Sequence, residues 1–147
     1  MFFWVPAFAG MTNRGSVLRF LPLIALIAAA PVAAKPLTVR MGETWVFTVV
    51  KGQPAKARKV DAKTAPKPGE MKVAVSALMG TTMTISNNSR FDYSYRATLV
   101  LPGGKTGPAK SCAVPADGRL AMEHWKQRVD AVRLSDFKPA PAGSLCP

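Results

Sequence analysis

Histidine occurs once, cysteine twice and acidic residues eight times in this chain of 147 residues, and each scarcity narrows the function. With His124 the only histidine, a Ser/His/Asp or Cys/His catalytic set would have to be built around it. Its neighbour Glu123 would point to the opposite face of a strand, out of direct hydrogen-bond reach. Zinc sites need three or four closely spaced Cys, His or carboxylate ligands, and calcium loops need clustered oxygens. The acids Glu43, Asp61, Glu70, Asp92, Asp117, Glu123, Asp130 and Asp136 are dispersed, so neither metal nor cofactor is expected. Asp130 and Asp136 would form a glycosidase-like pair only if a regular strand put both on one face. Gly-rich phosphate loops are missing as well, because Gly103-Gly104 reads as a hairpin turn. No segment has helical periodicity long enough for the crossovers of a parallel α/β fold.

What is present begins with residues 17–34, VLRFLPLIALIAAAPVAA, which have the charged entrance, apolar core and small-residue exit of a secretory signal. Phe20 to Ala30 is too short to span a bilayer, which takes about 20 apolar residues. Val32 and Ala34 place the expected cleavage between Ala34 and Lys35. Arg14 and Arg19 are not adjacent, which argues against twin-arginine export, and no cysteine stands at the cleavage site to carry a lipid. Residues 4–12, WVPAFAGMT, resemble the conceptual translation of a repeated intergenic element of alphaproteobacterial genomes. That resemblance implies a bacterial source and a start at Met11 or Val17, with a spurious extension before it. Residues 1–34 are therefore set apart as extension and signal, and 35–147 are read as one exported domain in the periplasm or outside the cell.

Cations dominate the charge. Removing residues 1–34 takes away Arg14 and Arg19 and leaves 18 Lys+Arg against 8 Asp+Glu, which favours anionic surfaces without dictating a fold. Seven cations, Lys51, Lys56, Arg58, Lys59, Lys63, Lys67 and Lys72, stand against only Asp61 and Glu70 in one stretch. They are the candidate anion-binding residues. No aromatic residue interrupts them, so the stacking platform of a single-strand nucleic-acid binder is missing and nucleic acid is not the expected partner. An anionic envelope polymer, a membrane surface or a protein partner is.

Cys112 and Cys146 are an even count in an oxidising compartment, and C-x-x-C is absent, so they are expected to form a structural disulfide. It would pin a tail, KPAPAGSLCP, too rich in Pro, Ala and Gly to hold itself.

Period-two alternation recurs along the chain and predicts strands. Trp45, Phe47 and Val49 share one face of 43–50; Lys51-Gly52-Gln53-Pro54 turns the chain into a charged edge strand at 56–61; and 62–69 is a loop. Met71, Val73, Val75 and Ala77 point inward from 70–79, and Met83 and Ile85 from 81–86, with Thr82 and Thr84 outward. Asn87-Asn88-Ser89 supplies a turn and matches the N-glycosylation pattern, a match that is incidental in a bacterial protein. Phe91, Tyr93, Tyr95, Ala97, Leu99 and Leu101 share the core face of 91–101, with Asp92 opposite. Shorter strands are expected at 37–41, 110–114, 119–125 and 129–135, although 120–132 could instead open as a helical turn.

Eight or nine short strands with turns between them form a sandwich or a small β-barrel. Residues 81–105, a strand, an Asn-Asn-Ser turn, an aromatic strand and a Pro-Gly-Gly-Lys hairpin, resemble the central strands of small immunoglobulin-like domains of bacterial secreted proteins. The resemblance implies an all-β, immunoglobulin-like antiparallel β-sandwich. The function expected is a non-catalytic envelope protein that binds or supports another component. The alternatives are a hydrolase-type enzyme using His124 and a subunit of a larger envelope assembly.

Overall fold

The computed structural model describes residues 35–143 and Cys146. The expected signal and its cleavage site after Ala34 fall at and beyond the edge of the described residues.

Among the described residues, nine strands form two antiparallel sheets. They are β1 (Leu37–Arg40), β2 (Thr44–Val50), β3 (Gln53–Lys59), β4 (Met71–Ser76), β5 (Thr81–Asn87), β6 (Tyr93–Val100), β7 (Thr106–Ala109), β8 (Leu120–Trp125) and β9 (Ala131–Pro139). One sheet runs β1-β9-β6-β7 and the other β3-β2-β4-β5-β8. The two do not close into a barrel, so the described residues form a β-sandwich. It shares the two-sheet architecture of immunoglobulin-like domains and keeps its own connectivity, in which the hairpins β2-β3 and β4-β5 both lie in the five-stranded sheet.

Alternation explains the core. Phe47, Met71, Val73, Val75, Met83 and Ile85 from one sheet meet Val39, Tyr95, Ala97, Leu99, Val132 and Leu134 from the other. Trp45 and Val49 pack against them from the flank. Phe137 sits among three rings, 5.5 Å from Phe47, 5.5 Å from Tyr95 and 6.4 Å from Tyr93 between centroids.

Turn chemistry sets the boundaries. Val50 pairs with Gln53 across Lys51-Gly52, and both turn residues have positive φ, as a two-residue type I′ hairpin demands. The turn is thus two residues rather than four, and Pro54 belongs to β3. An edge strand tolerates that proline because its missing N–H faces no partner. Lys67-Pro68-Gly69-Glu70 closes with Glu70 N–H donating to the Lys67 carbonyl, Pro at the second position and Gly69 at positive φ in the third.

Several local expectations are corrected. β6 begins at Tyr93, which leaves Phe91 outside the strand and 60% exposed, while Asp92 is buried. Ala77 is exposed beyond the end of β4; Thr82 shares the outer face with His124, as expected, but is buried there, its hydroxyl bonded to the Leu78 carbonyl and meeting His124 Nδ1. The strand expected at 110–114 lies earlier, at Thr106–Ala109, because the hairpin after Leu101 returns immediately; Val114 keeps a single bridge to Tyr93. Residues 120–125 are strand, not helix, since they complete the sheet beside β5. β9 runs on to Pro139 and so takes in the first residues of the expected tail.

Candidate functional site

The seven cations of the basic stretch divide into two groups. Arg58 grips Glu70 with both guanidinium nitrogens, at 2.6 and 3.0 Å, and the Lys67 N–H donates to the same carboxylate at 2.9 Å. Arg58 above all holds the Glu70 carboxyl down at about 2. Lys59 donates to Glu43 at 3.0 Å, and that carboxylate also accepts the Trp45 indole N–H at 2.9 Å and the Arg40 N–H at 3.1 Å. The Trp45 bond, then Lys59, lowers Glu43 to about 2. Lys72 Nζ donates to the Ala62 carbonyl and so ties the 60–69 loop to β4. These three cations serve the fold.

Lys51, Lys56, Lys63 and Lys67 are exposed, and their side chains form no ion pair or hydrogen bond among the described residues. Lys51 occupies the hairpin turn. Lys56 stands at positive φ where the β2-β3 register slips between Val46 and Thr48, a bulge that bends the edge strand. Between the edge strands β1 and β3 opens a recess of about 340 Å³ lined by Lys35, Pro36, Leu37, Trp45, Pro54 and Lys56. It combines an apolar floor with two ammonium groups, a fit for an anion on an apolar body.

His124 is exposed on the outer face of β8, with Nδ1 3.2 Å from Thr82 Oγ1. Glu123 points the other way, into the sandwich, and accepts the Cys112 N–H. Burial pushes its pKa up, against that hydrogen bond. Burial likewise raises the enclosed Tyr95 hydroxyl, and the Glu123 charge adds to the shift, against a smaller opposing effect of the Ser111 side chain. The structure therefore keeps Glu123 and His124 on opposite faces, as the spacing required. A second recess of about 410 Å³, between β7 and β8, is lined by Leu99, Pro108, Lys110, His124, Trp125 and Lys126.

Cys112 and Cys146 are bonded to each other, closing 34 residues of sequence. Asp92, which sequence reasoning had outside, is the second anchor of the tail. Its carboxylate accepts the Ala116 N–H at 2.8 Å and the Gly143 N–H at 3.0 Å, and its own carbonyl accepts the Ala140 N–H at 2.8 Å. Those backbone bonds, the Ala116 bond most, hold its pKa below the ordinary value, and Arg119 adds a weaker pull from 3.7 Å. Buried Asp92 is hard to foresee because its partners come from 24 and 51 residues away.

Asp130 and Asp136 do not share a regular strand face. Asp136 sits at positive φ, where the β6-β9 register slips between Ser94 and Arg96, and is engaged by Gln53 at 3.0 Å and Arg96 at 3.4 Å. Asn87 is buried and uses its side chain on the Phe91 carbonyl and the Ser89 N–H, a structural Asx turn. Tyr93 and Tyr95 pack on the core rather than forming an open stacking face. No family model, curated protein or solved structure significantly matches this chain.

Proposed function

We propose that this protein is an exported, non-catalytic β-sandwich that binds an anionic component of the cell envelope through the free lysines of the β3 edge and the 60–69 loop. The observation that carries the reading is the division within the basic stretch. Three cations are consumed by internal bonds, and four, Lys51, Lys56, Lys63 and Lys67, are left to solvent along one border of the molecule. A border held open by a type I′ turn, a bulge and a proline-containing loop can meet a flat or extended polyanion without refolding. His124, on which an enzyme reading would rest, meets Thr82 on an exposed face while the nearest carboxylate in sequence faces inward. Export, which the signal-like segment and the disulfide support, puts lipid head groups and lipopolysaccharide within reach.

A second reading, a subunit of a larger envelope assembly, draws on β8. This edge strand shows Leu120 and Met122 to solvent at 57% and 62% exposure.

The test is titration with lipopolysaccharide over a salt series, comparing the parent with the variant in which Lys51, Lys56, Lys63 and Lys67 are all Gln. The variant should bind more weakly and with a flatter salt dependence, because fewer counterions are released. Its stability should stay within about 0.5 kcal/mol of the parent. Equal binding at every salt concentration would refute the proposal.

A further inference from the structure

The far edge of the five-stranded sheet carries a different combination of groups. β4 and β5 are joined by Ala77-Leu78-Met79-Gly80, and Leu78 and Met79 are 60% and 87% exposed. Single exposed apolar residues are ordinary, but two in succession at a hairpin tip form a prong. Met79 is held at φ 48°, so the prong is a fixed turn. It is also locked in place: a Cβ on Gly80 would come within 2.4 Å of the Trp125 carbonyl oxygen and 2.9 Å of that of Lys126. The prong therefore abuts the end of β8 and the 126–130 loop.

Trp125 and Lys126 are also walls of the β7-β8 recess, where Lys110, Lys126, His124 and Gln127 supply the polar lining beside Leu99, Pro108 and Trp125. Lys126 and Arg128 are exposed, and Asp130 is the single acid of the 126–130 loop. An apolar prong and a cationic recess thus lie side by side at one end of the sandwich. That pairing matches an amphiphile assembled into a sheet, with phosphate at the surface and hydrocarbon beneath it.

We propose that this end docks on an anionic lipid surface, with Leu78 and Met79 entering the head-group layer and the Lys110–His124–Lys126 recess taking a lipid phosphate. The inference rests on the reading that the chain meets an anionic envelope component, but it assigns a separate surface. β3 and β8 are opposite edges of the same sheet, so the two surfaces can fail independently.

Two variants of the full chain test it by co-sedimentation with vesicles of equimolar phosphatidylglycerol and phosphatidylcholine. Lys110→Gln with Lys126→Gln should weaken binding about thirtyfold, from about 1 kcal/mol per surface cation, and flatten the salt dependence. Leu78→Ser with Met79→Asn should weaken it about tenfold, by loss of apolar burial, and leave the salt slope unchanged. Both pairs are exposed, so unchanged melting curves will show that folding is intact. Phosphatidylcholine vesicles alone should bind little, and glycerol phosphate at the same phosphate concentration should not compete.

Parent-like binding by both variants would overturn the inference. So would efficient competition by glycerol phosphate, which would make the recess a site for a soluble anion. If the Lys51, Lys56, Lys63 and Lys67 variant alone loses the vesicles, the β3 edge is the lipid surface and this assignment falls while the proposed function stands. Binding to lipopolysaccharide without binding to vesicles gives the same division. Failure to bind either removes both.

Discussion

Among the glycines of the described residues, Gly80→Ala should be the most damaging alanine substitution, and its cost can be worked from the backbone. Gly80 has φ 124°, a region that L side chains rarely enter, and positions of this kind cost about 1–3 kcal/mol. The added Cβ would also stand 2.4 Å from the Trp125 carbonyl oxygen, with the Lys126 carbonyl oxygen and carbon at 2.9 and 3.0 Å. These are backbone atoms of the strand end paired at Thr81↔Trp125, so no side chain can swing away to relieve the contact. Relief requires the β5-β8 ladder to open at that end, at about 1 kcal/mol for each hydrogen bond lost. Gly103→Ala is the matched control, since Gly103 has φ 85° and nothing within 4 Å of its notional Cβ. Backbone strain alone sets its cost at about 1 kcal/mol. We expect about 3 kcal/mol for Gly80→Ala, or a melting temperature lower by about 12 °C at about 4 °C per kcal/mol. Urea and thermal unfolding of the two variants measure the difference directly. If Gly80→Ala costs no more than Gly103→Ala, the close approach of the hairpin tip to β8 is wrong, and so is the contiguity of prong and recess.

Glu43 and Glu70 are both lowered to about 2 from 4.5, so the stability they confer is fully present above pH 4.5 and is lost as the pH falls through 2. Glu70→Gln should therefore make the urea midpoint fall less steeply between those pH values than it does in the parent, and an unchanged slope would refute the Arg58–Glu70 account. The disulfide closes 34 residues, which is worth about 3–4 kcal/mol in the chain-entropy model. Cys146→Ala should lower the melting temperature accordingly, and thiol titration of the unreduced, unfolded parent should find no free thiol.

Much of the fold is legible from alternation alone, for a physical reason. A strand half-buried in a sandwich must present one face to the core, so Phe47, Met71, Val73, Val75, Met83 and Ile85 announce themselves by spacing. Elements governed by distant partners are not legible in this way. Asp92 falls on the polar side of its alternation and is nonetheless buried, because residues 116 and 143 bring N–H groups to it. Phe137 lies where the composition turns toward Pro and Ala, yet its ring joins Phe47 and Tyr95 because β9 extends four residues past Ser135 with a bulge at Asp136. The basic stretch is visible as composition, but which of its lysines are free depends on where Glu43 and Glu70 come to rest. The β7-β8 recess could not be foreseen at all. Lys110 and Lys126 flank it only because the two sheets leave their edges β7 and β8 facing a common gap.

The placement of the acids bears on whether the positive charge needs an explanation outside folding. Six of the eight, Glu43, Asp61, Glu70, Asp92, Glu123 and Asp136, accept hydrogen bonds that fix a turn, a loop or the tail. Carboxylates in this chain are thus mostly spent on structure. Fewer of the cations are: Arg58, Lys59, Lys72, Arg96 and Arg119 have partners for their side chains, while Lys51, Lys56, Lys63, Lys67 and Lys126 form no side-chain ion pair or hydrogen bond among the described residues. Edge protection accounts for one or two charges on β3, where the bulge and Pro54 already discourage pairing with another strand. It accounts for none at Lys126 and Arg128, which lie in a loop beyond the end of β8. A surplus of this kind, gathered beside an apolar prong at one edge and an apolar-floored recess at the other, is what the proposed anionic partner would engage. Each edge can therefore be neutralised separately, and the binding lost in each case shows which of them that partner touches.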